Sequence, residues 1–242
     1  MPAGFLGELD RFLRASLVTP VPRDHWESDT AIQRRRIVCA VTLAAGAVLL
    51  GLSLNLTPGD ERFYLFMTLV AAIWTAGSFA SGKIYMGQAH TRRGDRYAVP
   101  VLQSLILATL LLAVFLTGAV LVAQVPVLRG PVNAVLDYAR FGSLPVVAMI
   151  TLVNGLAEEL FFRGAVFSAV PARHQISIST LLYMLVTVST GNVMLVLAAA
   201  VLGTVVALQR RVTGGVVAPM ITHVVWSSGM LFLLPHLLDW LS

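Results

Sequence analysis

LPVVAMITLVNGLAEELFFRGAVFSAV, residues 144–170, is apolar for long enough to cross a membrane, yet it carries Glu158, Glu159 and Arg163 near its centre. A charged side chain at mid-bilayer costs roughly 2.5–3.5 kcal/mol on insertion scales, so intramembrane charges are rare and mark function. Three of them this close together read as a working site inside a membrane helix. The stretch therefore fixes both the fold class and the place to look for chemistry.

The rest of the chain agrees. Of 242 residues, 57% are hydrophobic and 12% charged, and the mean hydropathy is +0.81. That balance excludes a soluble globular domain. Spans of about 20 residues joined by short loops account for the length, giving an all-α, polytopic helical bundle. The net charge of +5 is almost all arginine scattered through loops rather than gathered on one soluble face, so nucleic acid is not a predicted partner; the lipid bilayer is. Cys39, the single cysteine, lies in the first apolar run and reads as core.

Apolar runs predict seven spans, near Ile37–Leu56, Phe63–Ser81, Val101–Val125, Leu144–Phe167, Ile176–Thr190, Met194–Leu208 and Val216–Leu238. The fifth and sixth are short and are expected to stop before one surface, joined by a tight turn at Gly191 and Asn192. Before the spans, Phe5, Leu6, Leu9, Phe12, Leu13 and Leu17 recur at helical spacing opposite Glu8, Asp10, Arg11 and Arg14, predicting an amphipathic helix on the membrane surface. Residues 1–36 are thus an amphipathic helix and linker, and 37–242 a transmembrane bundle whose site-bearing core is 144–238. No cleavable signal peptide is expected, because the first long apolar run follows a polar stretch ending in Arg34, Arg35 and Arg36.

Orientation follows from the arginine and lysine bias of alternate loops. Arg11, Arg14, Arg23, Arg34, Arg35, Arg36, Lys83, Arg92, Arg93, Arg96, Arg173, Arg210 and Arg211 fall on one side, against Arg62, Arg129 and Arg140 on the other. This predicts a cytoplasmic N-terminus, an external C-terminus and a place in the cell membrane. Residues 131–142 are then an external amphipathic connection.

At a rise of about 1.5 Å per residue, Glu158, Thr187, His223 and Ser227 all fall roughly 10–17 Å from the cytoplasmic end of their helices. Four polar groups from three helices in one layer predict a wet chamber open to the cytoplasm. Glu159 and Arg163, four apart with the acid first, suit an ion pair along one face. Glu158 points about 100° away, beside Asn154 and Phe162, free to act as a general base on water. Each residue also has a plainer reading. Glu159 and Arg163 make a structural ion pair, His223 a hydrogen-bonded bundle histidine, Asn154 an interhelical hydrogen-bonding residue, and Thr187 and Ser227 hydroxyls that bond their own helix backbones. His25, His90, His174 and His236 lie at loops or span ends and carry no predicted role.

The run EELFFRG, Glu158–Gly164, resembles the EExxxR motif of the CPBP family of intramembrane proteases, which includes type II CAAX prenyl endopeptidases and bacteriocin-processing or immunity (Abi-like) proteins. STLLYMLVT, Ser179–Thr187, resembles the family's second motif region, ending FxxxH, and TGGVVAPMITHVVWS, Thr213–Ser227, its third, ending HxxxN. The resemblance covers about 144–238. Glu158, Glu159, Arg163 and His223 match. Thr187 stands where the family has histidine, after Tyr183 at the aromatic position, and Ser227 stands where it has asparagine.

The resemblance implies a glutamic-type intramembrane endopeptidase that cuts a membrane-associated or lipidated peptide or protein at a cytoplasm-facing cavity; a bacterial origin is expected from composition alone, arginine greatly outnumbering lysine. Glu158 would activate water, Glu159 with Arg163 would shape the field, and His223 would polarise the carbonyl or shuttle a proton, with Thr187 and Ser227 assisting by hydrogen bonds. No cofactor and no metal is expected: there is no HExxH, and adjacent glutamates point apart. The altered second and third motifs keep an alternative open, a degenerate member that binds membrane peptides or proteins without cutting them, as an immunity or chaperone protein.

Overall fold

The computed structural model describes residues 5–91 and 97–241. Arg92, Arg93 and Arg96, which contribute to the orientation count, lie outside the described residues. The amphipathic helix α1 spans Phe5–Leu17 and packs against the bundle, with Ser16 buried and Leu6 exposed. After an extended linker, α2 (Asp29–Leu54) and α3 (Arg62–Ser81) form the first hairpin. A two-residue antiparallel ladder, β1 (Ala89–His90) with β2 (Tyr97–Ala98), precedes α4 (Val101–Ala123). Then come α5 (Pro126–Phe141) and α6 (Leu144–Glu158), and α6 continues without interruption into a π-helical segment, Glu159–Val166, and a last turn, α7 (Phe167–Ala169). The chain closes with α8 (Gln175–Val188), α9 (Val193–Thr213) and α10 (Val217–Leu241).

Among the described residues, six helices are long and apolar enough to cross a bilayer: α2, α3, α4, the α6–α7 rod, α9 and α10. The remaining predicted segment, α8, has 14 residues and a length of about 21 Å, short of a hydrocarbon core of about 30 Å. The sixth segment, also expected to be short, is not. It runs on through Gln209, Arg210 and Arg211 to Thr213, because Gln209 and Arg210 turn inward: Gln209 Nε2 donates to Ser104 Oγ (3.1 Å) and Arg210 Nε to the Arg163 carbonyl (2.7 Å). The first span likewise starts at Asp29 rather than residue 37. Ser28 caps it by accepting from the Ala31 amide (3.3 Å), and Arg35, the charge that marked a boundary in the sequence, is fully buried against Glu27 (2.6 Å), Ser81 and the Lys83 carbonyl.

Outward-facing positions are apolar, as a lipid solvent requires: Val41, Val48, Leu102, Val114 and Leu121 are all exposed. Inside, small residues let helices approach closely. A Cβ on Gly46 would overlap the Trp74 ring, and one on Gly77 would overlap the Thr42 side chain, so the α2–α3 contact depends on both glycines. Trp74 itself stacks on Phe161 at 4.6 Å and packs on Phe162 at 5.4 Å, joining this hairpin to the central rod. A second apolar cluster of Leu111, Leu202, Val206 and Trp226 joins α4, α9 and α10.

The two ends of the bundle are tied differently. At one, the linker and the segment after α3 are laced to the turn between α9 and α10: Val21 N to Val212 O (2.9 Å), Gln88 N to Thr213 O (2.8 Å), Val216 N to Tyr85 O (2.9 Å) and Val217 N to Met86 O (3.1 Å). Gly87, at φ +87°, and Gly215 permit that close approach, since a Cβ on Gly215 would overlap the Gly87 and Met86 backbone. At the other end lies α5, which contains the connection predicted over 131–142. Its Tyr138 hydroxyl donates to the Leu56 carbonyl (2.6 Å), and the Asn192 side chain of the α8–α9 turn donates to the Pro131 carbonyl (2.7 Å).

Candidate active site

The EELFFRG motif sits at the junction of α6 and the π segment, in the middle of the molecule. Glu159 and residues 161–167 are all buried, and in this part of the rod Leu160 alone keeps partial exposure. Phe161 and Phe162 are adjacent in sequence and each is wholly buried, and the wider π turn, with its i→i+5 bonding seen in Phe167 N to Phe162 O, gives both rings room. The altered ladder changes carbonyl partners, and Arg210 Nε takes the carbonyl of Arg163. π segments within α-helices are rare and frequent at functional sites. The sequence reading assumed α geometry throughout and carried no signal for this one.

Glu159 and Arg163, both with side chains 0% exposed, form the expected ion pair, with Nη1 3.3 Å from Oε1. The same carboxylate oxygen lies 2.8 Å from His223 Nδ1, so α10 docks its histidine onto the pair. Arg163 Nη2 donates to the Gly203 carbonyl (3.2 Å), and its guanidinium lies 4.8 Å from the centre of the Tyr183 ring. Gly203 makes room for this: a Cβ there would sit 3.2 Å from both Arg163 Nη2 and Tyr183 Cδ1. With Nδ1–H donated to Glu159, His223 keeps Nε2 as its other nitrogen, beside Gly155, whose added Cβ would lie 3.8 Å from it.

Glu158 has different surroundings. It is half-buried, and its Oε2 accepts the Tyr183 hydroxyl at 2.6 Å. Of the two carboxylates, then, Glu159 is neutralised by a cation and held by an imidazole, whereas Glu158 has, among the described residues, one neutral hydrogen-bond donor. Glu159 Oε2 and Arg163 Nε are buried without a protein hydrogen bond, so the centre retains polar capacity for water or substrate.

The structure thus brings Glu158, Glu159, Arg163 and His223 together, and adds Tyr183 from α8, which sequence reasoning noted only as an aromatic position. The one signal for it was a hydroxyl on that aromatic ring. Thr187 and Ser227 do not join the cluster. Thr187 Oγ1 donates to the Tyr183 carbonyl (2.8 Å) and Ser227 Oγ to the Val224 carbonyl (3.3 Å), each within its own helix. Asn154 bonds between helices, Nδ2 donating to Met67 O (3.2 Å) of α3 as well as to Ile150 O (3.0 Å). Next to Gly155 and His223, an apolar groove of about 320 Å³ runs between α6 and α10, lined by Leu156, Val217, Met220, Ile221, Val224 and Val225.

No significant match to a curated protein or to a solved structure is found. Residues 140–238, which hold every polar side chain of this cluster, match the family model described as type II CAAX prenyl endopeptidase Rce1-like, a protease family and the one that the EELFFRG motif resembles.

Proposed function

We propose that the protein is a glutamic-type intramembrane endopeptidase acting on a membrane-associated or lipidated peptide, with Glu158 as the general base. The observation that carries this reading is the unequal treatment of the two adjacent carboxylates: Glu159 is committed to Arg163 and His223, while Glu158 has a single neutral partner. Paired carboxylates in contrasting environments divide their roles. In the reaction, a water molecule gives a proton to Glu158 as its oxygen bonds to the scissile carbonyl carbon. His223, oriented through Nδ1 by Glu159, presents Nε2–H to the carbonyl oxygen when protonated, which stabilises the developing negative charge. The proton held by Glu158 then passes to the leaving nitrogen as the C–N bond breaks. The groove between α6 and α10 takes the apolar part of the substrate, and Ser227, one turn beyond His223, adds a hydrogen bond on substrate binding. Thr187, on α8 one turn beyond Tyr183, assists by a hydrogen bond in the same way. The arginine bias of the loops supports a cytoplasmic N-terminus, with the cavity open to the cytoplasm.

The test is cleavage of a panel of membrane-tethered peptides, prenylated and unprenylated, by the purified protein. Glu158→Gln is expected to lower kcat by about 10²–10⁴; an unchanged rate would sink the assignment. One observation favours a second reading, a non-cleaving binder of membrane peptides. The hydroxyls of Thr187 and Ser227 face their own backbones, leaving the cluster with fewer groups than the family's motifs supply. Recovery of a stable, uncleaved peptide complex, with no turnover by the wild type, would select that reading.

A further inference from the structure

We infer that Tyr183 is the positioning residue for Glu158, supplying from the aromatic position of α8 the hydrogen bond that Thr187, one turn further on, does not make. This rests on the proteolytic reading of the site. The Tyr183 hydroxyl donates to Glu158 Oε2 at 2.6 Å, and among the described residues no other hydrogen bond reaches that carboxylate. Thr187 is unsuited to the task as it stands, since its hydroxyl is spent on the Tyr183 carbonyl at 2.8 Å. The phenol, by contrast, has little freedom to leave. Its ring packs against Phe162 with centroids 4.8 Å apart, the Arg163 guanidinium covers it at 4.8 Å, and Gly203 abuts its edge.

The consequence is a fixed division of the Glu158 carboxylate. Oε2 is anchored by the phenol, so the carboxylate plane is set, and Oε1 is left to accept the proton of the attacking water. No proton leaves Tyr183 in this step. Its O–H donates before and after Glu158 is protonated, so the role is geometric, and its loss acts on turnover rather than on substrate affinity. Arg163 joins the two halves of the site, because the same guanidinium that pairs with Glu159 also lies over the ring that holds Glu158.

The experiment compares wild type, Tyr183→Phe, Thr187→His and the double variant in lipid nanodiscs. Tyr183→Phe is expected to lower kcat about 10²-fold, the cost of a misplaced reacting group, with KM within about twofold. Adding Thr187→His, which places a ring nitrogen on the same helix face, is expected to restore at least about tenfold of that loss. An unchanged kcat, or a loss confined to KM, overturns the inference. Isotope-edited infrared spectroscopy gives a readout independent of activity: the carboxylate bands that Glu158→Gln removes are expected to shift in Tyr183→Phe. If the wild type cleaves nothing, the proteolytic reading fails while the infrared comparison still decides whether Tyr183 holds Glu158. Bands that do not move reject the inference in either case.

Discussion

Replacing Glu159 by Gln keeps the size of the side chain and an oxygen that can still accept from His223 Nδ1, but strips Arg163 of its carboxylate. The magnitude follows from the geometry. At 3.3 Å and an effective dielectric of about 20, the attraction between the two charges is about 5 kcal/mol, and removing one member of a wholly buried pair costs about 3–5 kcal/mol. Glu158, on the same turn, retains part of the compensation, so Glu159→Gln is expected near 3 kcal/mol. Arg163→Met is expected nearer 5 kcal/mol, because it leaves two carboxylates without a cation and also removes the bond to the Gly203 carbonyl. In the double variant neither charge remains to be stranded. The coupling measured from the cycle should then be about 2–3 kcal/mol, with the double variant more stable than the sum of the single losses predicts. Equilibrium unfolding in bicelles by steric trapping measures all four species on one scale. Losses additive within about 0.5 kcal/mol would refute the view that Glu159 and Arg163 act as one unit.

Two further outcomes are expected away from the site. Gly46→Ala and Gly77→Ala each push a methyl group into the Trp74 ring or the Thr42 side chain, and should destabilise by about 1–3 kcal/mol in the same unfolding assay, whereas Gly118→Ala, on an open face of α4, should change little. His25, stacked on Tyr85 at 3.8 Å, has its pKa brought down from 6.5 to about 4, first by partial burial and then by the charges of Arg210, Arg23 and Lys83, against a weaker opposite pull from Asp24. Because the folded chain holds this imidazole neutral while the unfolded chain protonates it, the contribution is full above about pH 6.5 and is lost as pH falls toward 4. The stability difference between wild type and His25→Gln should therefore change across that window; a constant difference would show that His25 does not feel these charges.

How much of this was legible in the sequence depends on the range of the interaction involved. The spans were visible because about 20 apolar residues suffice to specify one, and the α8–α9 turn because Gly191 takes a left-handed φ of +68° and Asn192 caps α9 by accepting from Met194 N (2.9 Å) and Leu195 N (3.3 Å). Span ends were misjudged where charge was taken as exposure. Arg35 and Arg210 look like loop residues, and each is buried by partners outside its own helix, Glu27 of the preceding linker with Ser81 for one and the Arg163 carbonyl for the other. The Glu159–Arg163 pair was readable as an i,i+4 contact. The Glu159–His223 bond spans 64 residues, and depth alone gave the layer but not which glutamate the histidine would choose. Thr187 and Ser227 were picked by position in the motifs, and local backbone acceptors took both hydroxyls.

The π segment explains why the choice of partner was hidden. Adjacent residues on any helix point in different directions, so Glu158 and Glu159 had to face different neighbours. Which neighbours they meet depends on the twist of the rod just where it changes from α to π bonding. As folded, Glu159 turns to α10 and Glu158 to α8. An imidazole and a guanidinium stabilise a carboxylate as a fixed charge, while a phenol orients one without neutralising it. The acid pair is thus split between a structural charge and a reactive one by the two helices it faces. A substitution that returned residues 159–166 to α bonding would keep the i,i+4 pair but rotate everything beyond Glu158, including Arg163, and would disrupt the Arg210 bond to the Arg163 carbonyl and the Arg163–Tyr183 contact together. Loss of both at once, rather than of either alone, is the signature that the widened turn sets the site.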